Sequence, residues 1–283
     1  MMKLFLITAL TMMAFASNSI LNRMALDGGH IDPSSFAAVR IVAGVIALGL
    51  MLAIRGEKLP LWGKSRILGA LSLAAYMIGF SLAYDSLDAG LGALILFGVV
   101  QVALFIYGAI RGETPTQREL IGASIAFIGL LIALWPSEES VATIRSTALM
   151  VIAGLGWAAY TLAGRGSQNS LASTAANFLF AMPLLLLLLI GQTLNISVTG
   201  VALAVLAGAI TSGMGYALWY WVLPQIGPST AAVVQLSVPI IAIVAGAVLL
   251  GEVISITVIV AAGFVVGGIG LAVTKRSVQV DRK

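Results

Sequence analysis

Three groups of side chains in this 283-residue chain could do chemistry, and none of them forms a catalytic set. The first group is aromatic. Tyr76, Phe80 and Tyr84 recur at i, i+4 and i+8, which places three rings on one face of a helix. Tyr216, Trp219 and Tyr220 follow at i, i+3 and i+4, and Trp157 with Tyr160 adds a third set. Rings grouped in this way can stack on an aromatic or apolar ligand while their polar tips orient it. Trp and Tyr also gather where a membrane meets water, and Tyr84 and Tyr220 stand close enough to the ends of apolar runs for that role.

The second group is amide. Asn18 and Asn22 beside Ser17, then Gln101, then Gln235, each interrupt an apolar run in which a polar group needs a partner. Hydrogen bonds between helices are one solution and a wet cavity is the other; Asn18 and Gln235 are read as cavity residues. The third group is a single charge, Arg40, about two turns inside its run. A charge in that position is a candidate ligand contact for a carboxylate. It could instead cap neighbouring helix ends or pair with Asp85 or Asp88.

What is missing narrows the chemistry further. His30 is the only histidine, cysteine is absent, and no lysine interrupts an apolar run. No metal site, Ser-His pair or Ser-Lys pair can be assembled, so an intramembrane enzyme finds little support and no cofactor is expected. No Asp or Glu lies in the middle of a run either. A carboxylate proton relay is therefore not expected, and movement down a gradient is the simpler mechanism.

The elements that hold these residues are read from hydropathy. With 60% hydrophobic and 9% charged residues and a mean hydropathy of +1.08, the chain is not an ordinary soluble domain. Apolar runs long enough to cross a bilayer predict helices over 3–24, 33–54, 66–86, 89–111, 118–135, 146–165, 171–191, 199–222, 228–250 and 254–274. They lack the alternation of barrel strands. Turn chemistry separates them at Asp32-Pro33, Pro60, Glu113-Thr114-Pro115, Pro136-Ser137 and Pro224 to Pro228. Pro183 and Pro239 fall inside runs and predict kinks, which are plausible gating points. The start of the chain imitates a signal peptide around Ala14-Phe15-Ala16, but its apolar character continues to about Ala25, so it reads as a retained first helix. Gly263 and Gly267 form a GxxxG pair read as packing within the monomer.

Counting sides gives a topology. With the N-terminus inside, twelve of the fifteen Lys and Arg residues fall on inner segments; only Arg23 and Arg145 fall outside, and Arg40 is within a span. That bias puts both termini in the cytoplasm. The high pI of about 9.6 is thus a membrane signal and predicts no nucleic-acid partner.

The chain also repeats itself. Gly112-Glu113 returns as Gly251-Glu252, 139 residues later (252 minus 113), and 87–133 falls on 226–272 without a gap. The second copy has lost Arg111 and Arg118, as expected if the same hairpin faces the opposite side. This predicts an all-α membrane protein of ten transmembrane helices, built as two inverted five-helix repeats around a central cavity. The repeats are placed at 1–137 and 145–276, with a cytoplasmic tail at 277–283. Both Gly-Glu carboxylates are expected to satisfy the amides of the next helix.

In these features the chain resembles the drug/metabolite transporter superfamily, in its bacterial ten-helix form with two EamA-like repeats. The resemblance rests on Asp32-Pro33 followed by Arg40, the run Gly156-Trp157-Ala158-Ala159-Tyr160, Ser237-Val238-Pro239 thirteen residues before Glu252, and the paired Gly-Glu hairpins. Phe15 and Val100-Gln101 depart from the pattern, where a tryptophan and a proline turn are usual. The chain looks most like the exporters of aromatic amino acids. The resemblance implies two bundles around a cavity, with helices 5 and 10 as supports behind it. The expected function is export of amino acids or similar small metabolites across a bacterial inner membrane by alternating access, by a monomer, with a small-molecule substrate and the bilayer as its partners. Export of hydrophobic cations is the alternative, since rings bind cations too. A sugar-phosphate carrier would require more intramembrane cations than Arg40 alone.

Overall fold

A computed structural model describes residues 2–60, 64–110, 117–134, 143–226, 231 and 234–273. The first Gly-Glu break with Glu113, the turns at Pro115, Pro136 and Pro228, and the tail 277–283 lie outside the described residues. The described chain is helical, and its β pairing is one isolated bridge between Ile31 and Ile196.

The helices are α1 (Met2–Asp27), α2 (Pro33–Arg55), α3 (Lys64–Ala83), α4 (Ala89–Ile110), α5 (Gln117–Leu134), α6 (Ile144–Gly164), α7 (Ser170–Leu189), α8 (Val198–Gln225), α9 (Ser237–Leu250) and α10 (Ile256–Val273). Seven of them are long and apolar enough to cross a membrane; the apolar stretches Leu120–Gly129, Ser237–Leu250 and Ile256–Gly268 are shorter. Polar residues set several starts by accepting an otherwise unpaired amide. Asp32 accepts from Ser35, Asn169 from Ala172, and Ser197 from Gly200. At the far end of α9, Gly251 takes φ 69°, a left-handed conformation that glycine adopts without strain.

The solvent-accessible flanks are apolar, and a set of polar side chains lies inside a mainly apolar core. Phe5, Leu50, Ile67 and Val248 are exposed, whereas Arg40, Asn18, Asn22 and Gln235 are buried. This reverses the pattern of a water-soluble protein and suits a hydrocarbon solvent.

Packing follows a reciprocal pattern. α3 lies on α6 as α1 lies on α8; α7 lies on α3 as α2 lies on α8; α4 lies on α6 as α9 lies on α1. α2 meets α7, and α4 meets α9. α5 and α10 pack chiefly on each other and join the rest through α4, which matches their expected place as supports.

Four local expectations take a more particular form. Helical bonding is interrupted at Leu236, three residues before Pro239, and Pro239 itself lies in the first turn of α9, where its missing N–H costs nothing. Pro183 does lie inside α7, which tightens to a 3-10 turn at Leu187–Leu189. Gly263 and Gly267 meet no neighbour among the described residues; the close approach to α5 is made one position on, where Gly268 lies against Gly122 and Ala126. Glu252 caps a helix, but not the next one. Its carboxylate accepts from the amides of Ala89, at 2.7 Å, and Gly90, at 3.4 Å, at the start of α4 in the other half. The amide of Val258 in α10 is served by Ser255 instead. A carboxylate at a short link takes whichever helix start lies within reach, and the fold brings α4 closer. The fourth concerns Arg40 and belongs to the site.

Candidate functional site

The site is built around a break in α8. Its residues Leu206–Met214 adopt a π-helix, the wider coil that inserts extra backbone into a helix and is frequent at functional sites. Gly208 within it lies against the carbonyl oxygen of Arg40, so closely that any Cβ would collide. Glycine here lets α8 and α2 touch, and the widened coil turns Ser212 toward α2. Ser212 Oγ accepts from Arg40 Nε at 2.9 Å.

Arg40 is fully buried and has no carboxylate partner among the described residues. Pairing with Asp85 or Asp88, one of the alternatives for Arg40, is not formed: those residues sit in the link beyond α3, where Asp88 lies near Arg23. Arg40 is held by neutral groups instead. Its Nη2 donates to Tyr216 Oη at 2.8 Å and to Tyr76 Oη at 3.3 Å, and Tyr216 donates to Tyr76 at 2.8 Å. Its guanidinium carbon lies 5.0 Å from the Phe80 ring centre and 5.7 Å from that of Tyr76, within cation–π range. Nη1 has no hydrogen-bond partner among the described residues.

The aromatic residues form one connected cluster. Tyr76 touches Phe80 and Trp157, Phe80 touches Tyr84, Trp157 touches Tyr160 and Tyr216, and Tyr160 stacks on Tyr220, with ring centres 4.8 to 5.6 Å apart. Trp219 joins through Phe15, which meets Trp157, Tyr216 and Trp219 edge-on. Tyr84 and Tyr220 are buried in this cluster. The three sets separated in sequence thus form one site, with ring packed on ring. The indole Nε1 of Trp219 is buried without a partner.

Both favoured amides are tied in. Asn18 Oδ1 accepts from Thr211 at 2.6 Å and Ser212 at 2.9 Å, linking α1 to the π segment and through it to Arg40. Gln235 Oε1 accepts from Trp157 Nε1 at 3.1 Å. Gln101 is buried in α4, but the links above do not run through it. A cavity of about 340 Å³ between α1, α8 and α9 reaches the network from the side, with Ser17 and Thr211 among mostly apolar walls.

Three contributors were not singled out in the sequence. Phe15 stood only as a departure from a pattern, and Thr211 and Ser212 were not named. Their signal was present: Ser212 lies at i−4 from Tyr216, on the aromatic face of the same helix. What could not be read is that a π segment carries them toward a charge about 170 residues away.

No group of three or more His, Cys, Asp or Glu able to hold a metal occurs among the described residues. The arrangement is one buried cation ringed by hydroxyls and aromatic faces.

The EamA-like transporter family model matches twice, over residues 2–135 and 145–274. An uncharacterized protein of Pseudomonas aeruginosa is 44% identical over 282 residues, covering 98% of this chain and 97% of its own. An uncharacterized transporter of Archaeoglobus fulgidus is 26% identical, covering 87% of this chain and 90% of its own. A solved crystal structure superposes with a TM-score of 0.69 over 94% of this chain and 97% of its own, at 16% identity, a likeness of fold alone.

Proposed function

The chain belongs to the EamA-like transporter family, whose members carry small substrates across membranes, and from that premise we propose that it exports amino acids, aromatic ones foremost. The observation that carries this reading is Arg40. A guanidinium buried in a membrane protein without a counter-charge is costly, and a bound carboxylate removes that cost through two parallel hydrogen bonds. The Tyr76 and Tyr216 hydroxyls hold the guanidinium until substrate arrives, and the surrounding rings suit an apolar or aromatic side chain. The same charge repels the hydrophobic cations of a multidrug exporter.

Direction and mechanism rest on the architecture. The excess of Lys and Arg on inner segments supports a bacterial inner-membrane protein with cytoplasmic termini. The reciprocal packing of the two halves supports ten spans arranged as inverted repeats, rocking about the Arg40 layer in alternating access. The spans hold no mid-depth carboxylate, so export follows the substrate gradient. The test is counterflow in proteoliposomes holding the purified protein, with phenylalanine and tryptophan against other amino acids, with and without a pH gradient. Counterflow of aromatic amino acids without a proton gradient is expected. Counterflow of none of them would end the substrate reading, and strict dependence on a proton gradient would end the facilitated mechanism.

A further inference from the structure

Besides Arg40 Nη1, the interior leaves an acceptor without a donor. Asn22 is fully buried on α1; its Nδ2 donates to Ser81 Oγ at 3.4 Å, and its Oδ1 has no hydrogen-bond partner among the described residues. An amide oxygen stripped of water and left unpaired is destabilising, and such groups in native structures call for an explanation. The neighbours of Asn22 lead back to the same site. Asn18, four residues earlier and about 6 Å away along the helix on the same face, is bonded to Ser212, which is bonded to Arg40. Ser81 follows Phe80, whose ring covers the Arg40 guanidinium. Several buried polar atoms lack a partner among the described residues; of these, the cationic donor Arg40 Nη1 and the neutral acceptor Asn22 Oδ1 are related through Asn18 and Ser212 on one side and through Ser81 and Phe80 on the other.

We propose that Asn22 is the specificity-determining residue for the α-amino group of the substrate, which makes the site selective for α-amino acids over simple carboxylates. The proposal rests on the carboxylate reading of Arg40. A carboxylate alone satisfies the Arg40 donor; an α-amino acid satisfies both groups, placing its ammonium on Asn22 Oδ1 while its side chain lies among the rings. A neutral acceptor is sufficient because the charge of the ammonium is balanced by the carboxylate of the same molecule.

Ligand-induced thermal stabilisation of the purified full-length protein, with L-phenylalanine, 3-phenylpropionate and phenethylamine as probes, tests this directly. The natural chain should bind phenylalanine about tenfold more tightly than 3-phenylpropionate, the size of one hydrogen bond to a charged group. Asn22→Leu should lower phenylalanine binding to the level of 3-phenylpropionate and leave the latter unchanged. Asn22→Asp provides a second readout: its carboxylate should raise phenethylamine binding. Equal losses for phenylalanine and 3-phenylpropionate in Asn22→Leu, or unchanged phenethylamine binding in Asn22→Asp, would overturn the assignment. Should neither carboxylate stabilise the natural chain, the Arg40 reading itself falls, and this proposal falls with it.

Discussion

Two arginines divide the labour of charge in this protein. Arg23 stands near the end of α1, 14% exposed, with Asp27 at 3.0 Å, Asp88 at 3.7 Å and Glu252 at 3.9 Å, and it also donates to the Tyr84 carbonyl. Arg40 is fully enclosed, and among the described residues its guanidinium is held by one serine hydroxyl and two phenols and faces the rings of Tyr76 and Phe80. Arg23 has its counter-charges built in, and they tie α1, the start of α4 and the α9–α10 link together at one end. Arg40 has partners that can yield to a stronger acceptor. The difference separates a charge that maintains structure from a charge kept for a ligand.

The largest effect should come from removing each charge in turn. Arg40→Met should lower counterflow about a hundredfold, the scale for losing the buried partner of a charged ligand group. The empty protein should be no less stable, since an apolar side chain replaces an unpaired buried cation. Arg40→Lys should not restore transport, because an ammonium lacks the planar fork that grips a carboxylate. Arg23→Met should do the reverse, keeping transport within a few-fold while lowering the thermal midpoint. Loss of transport in Arg23→Met with transport intact in Arg40→Met would erase the distinction.

Next in size is Gly208→Ala, which attacks the position of Arg40 rather than its charge. The added methyl meets the Arg40 carbonyl oxygen directly, so α8 must move away from α2. Overpacking of this kind costs about 1–3 kcal/mol. The expected result is a lower thermal midpoint together with reduced transport. The same substitution at Gly263, which meets no neighbour, should change neither.

The sequence reveals the two arginines unequally. Bilayer thickness forces apolar runs of known length, so helix positions are recoverable from hydropathy, and α2 begins where Asp32-Pro33 predicts. The aromatic stripes are legible for the same reason, because the helical period assigns their face. Arg40 is conspicuous as a charge in a span, but its partners are not. They depend on a π segment with no proline to announce it, and on contacts spanning 172 and 176 residues. Glu252 is legible as a cap, while its target on α4 is fixed only by how the halves meet. Local chemistry is readable along one helix, and choices between helices are not.

The smallest effects lie at the helix ends, where two carboxylates titrate in opposite directions. Burial raises the pKa of Asp32, but hydrogen bonds from the Ser35 side chain and the Ser35 and Asn195 amides outweigh it, so its carboxyl sits below the ordinary value. Burial raises Glu252 as well, and the amides of Ala89 and Gly90 with Arg23 do not cancel it, partly because Asp88 adds like charge. A depressed folded pKa contributes stability that is present above the ordinary carboxylate range and lost as pH falls toward the depressed value. A raised one contributes stability that is present below the ordinary range and lost as pH rises through the raised value. Asp32→Ala should therefore cost about 1 kcal/mol at pH 7, as an N-cap loss does, and less as pH falls through the acid range. The thermal midpoint of the natural chain should gain on that of Glu252→Gln as pH falls from neutrality through the raised Glu252 value. Midpoints that follow pH in the same direction at both sites would mean that the carboxylate near Arg23 is stabilised as an anion. The end of the molecule beside Arg23 would then be a fully compensated ion cluster, and its contrast with Arg40 sharper still.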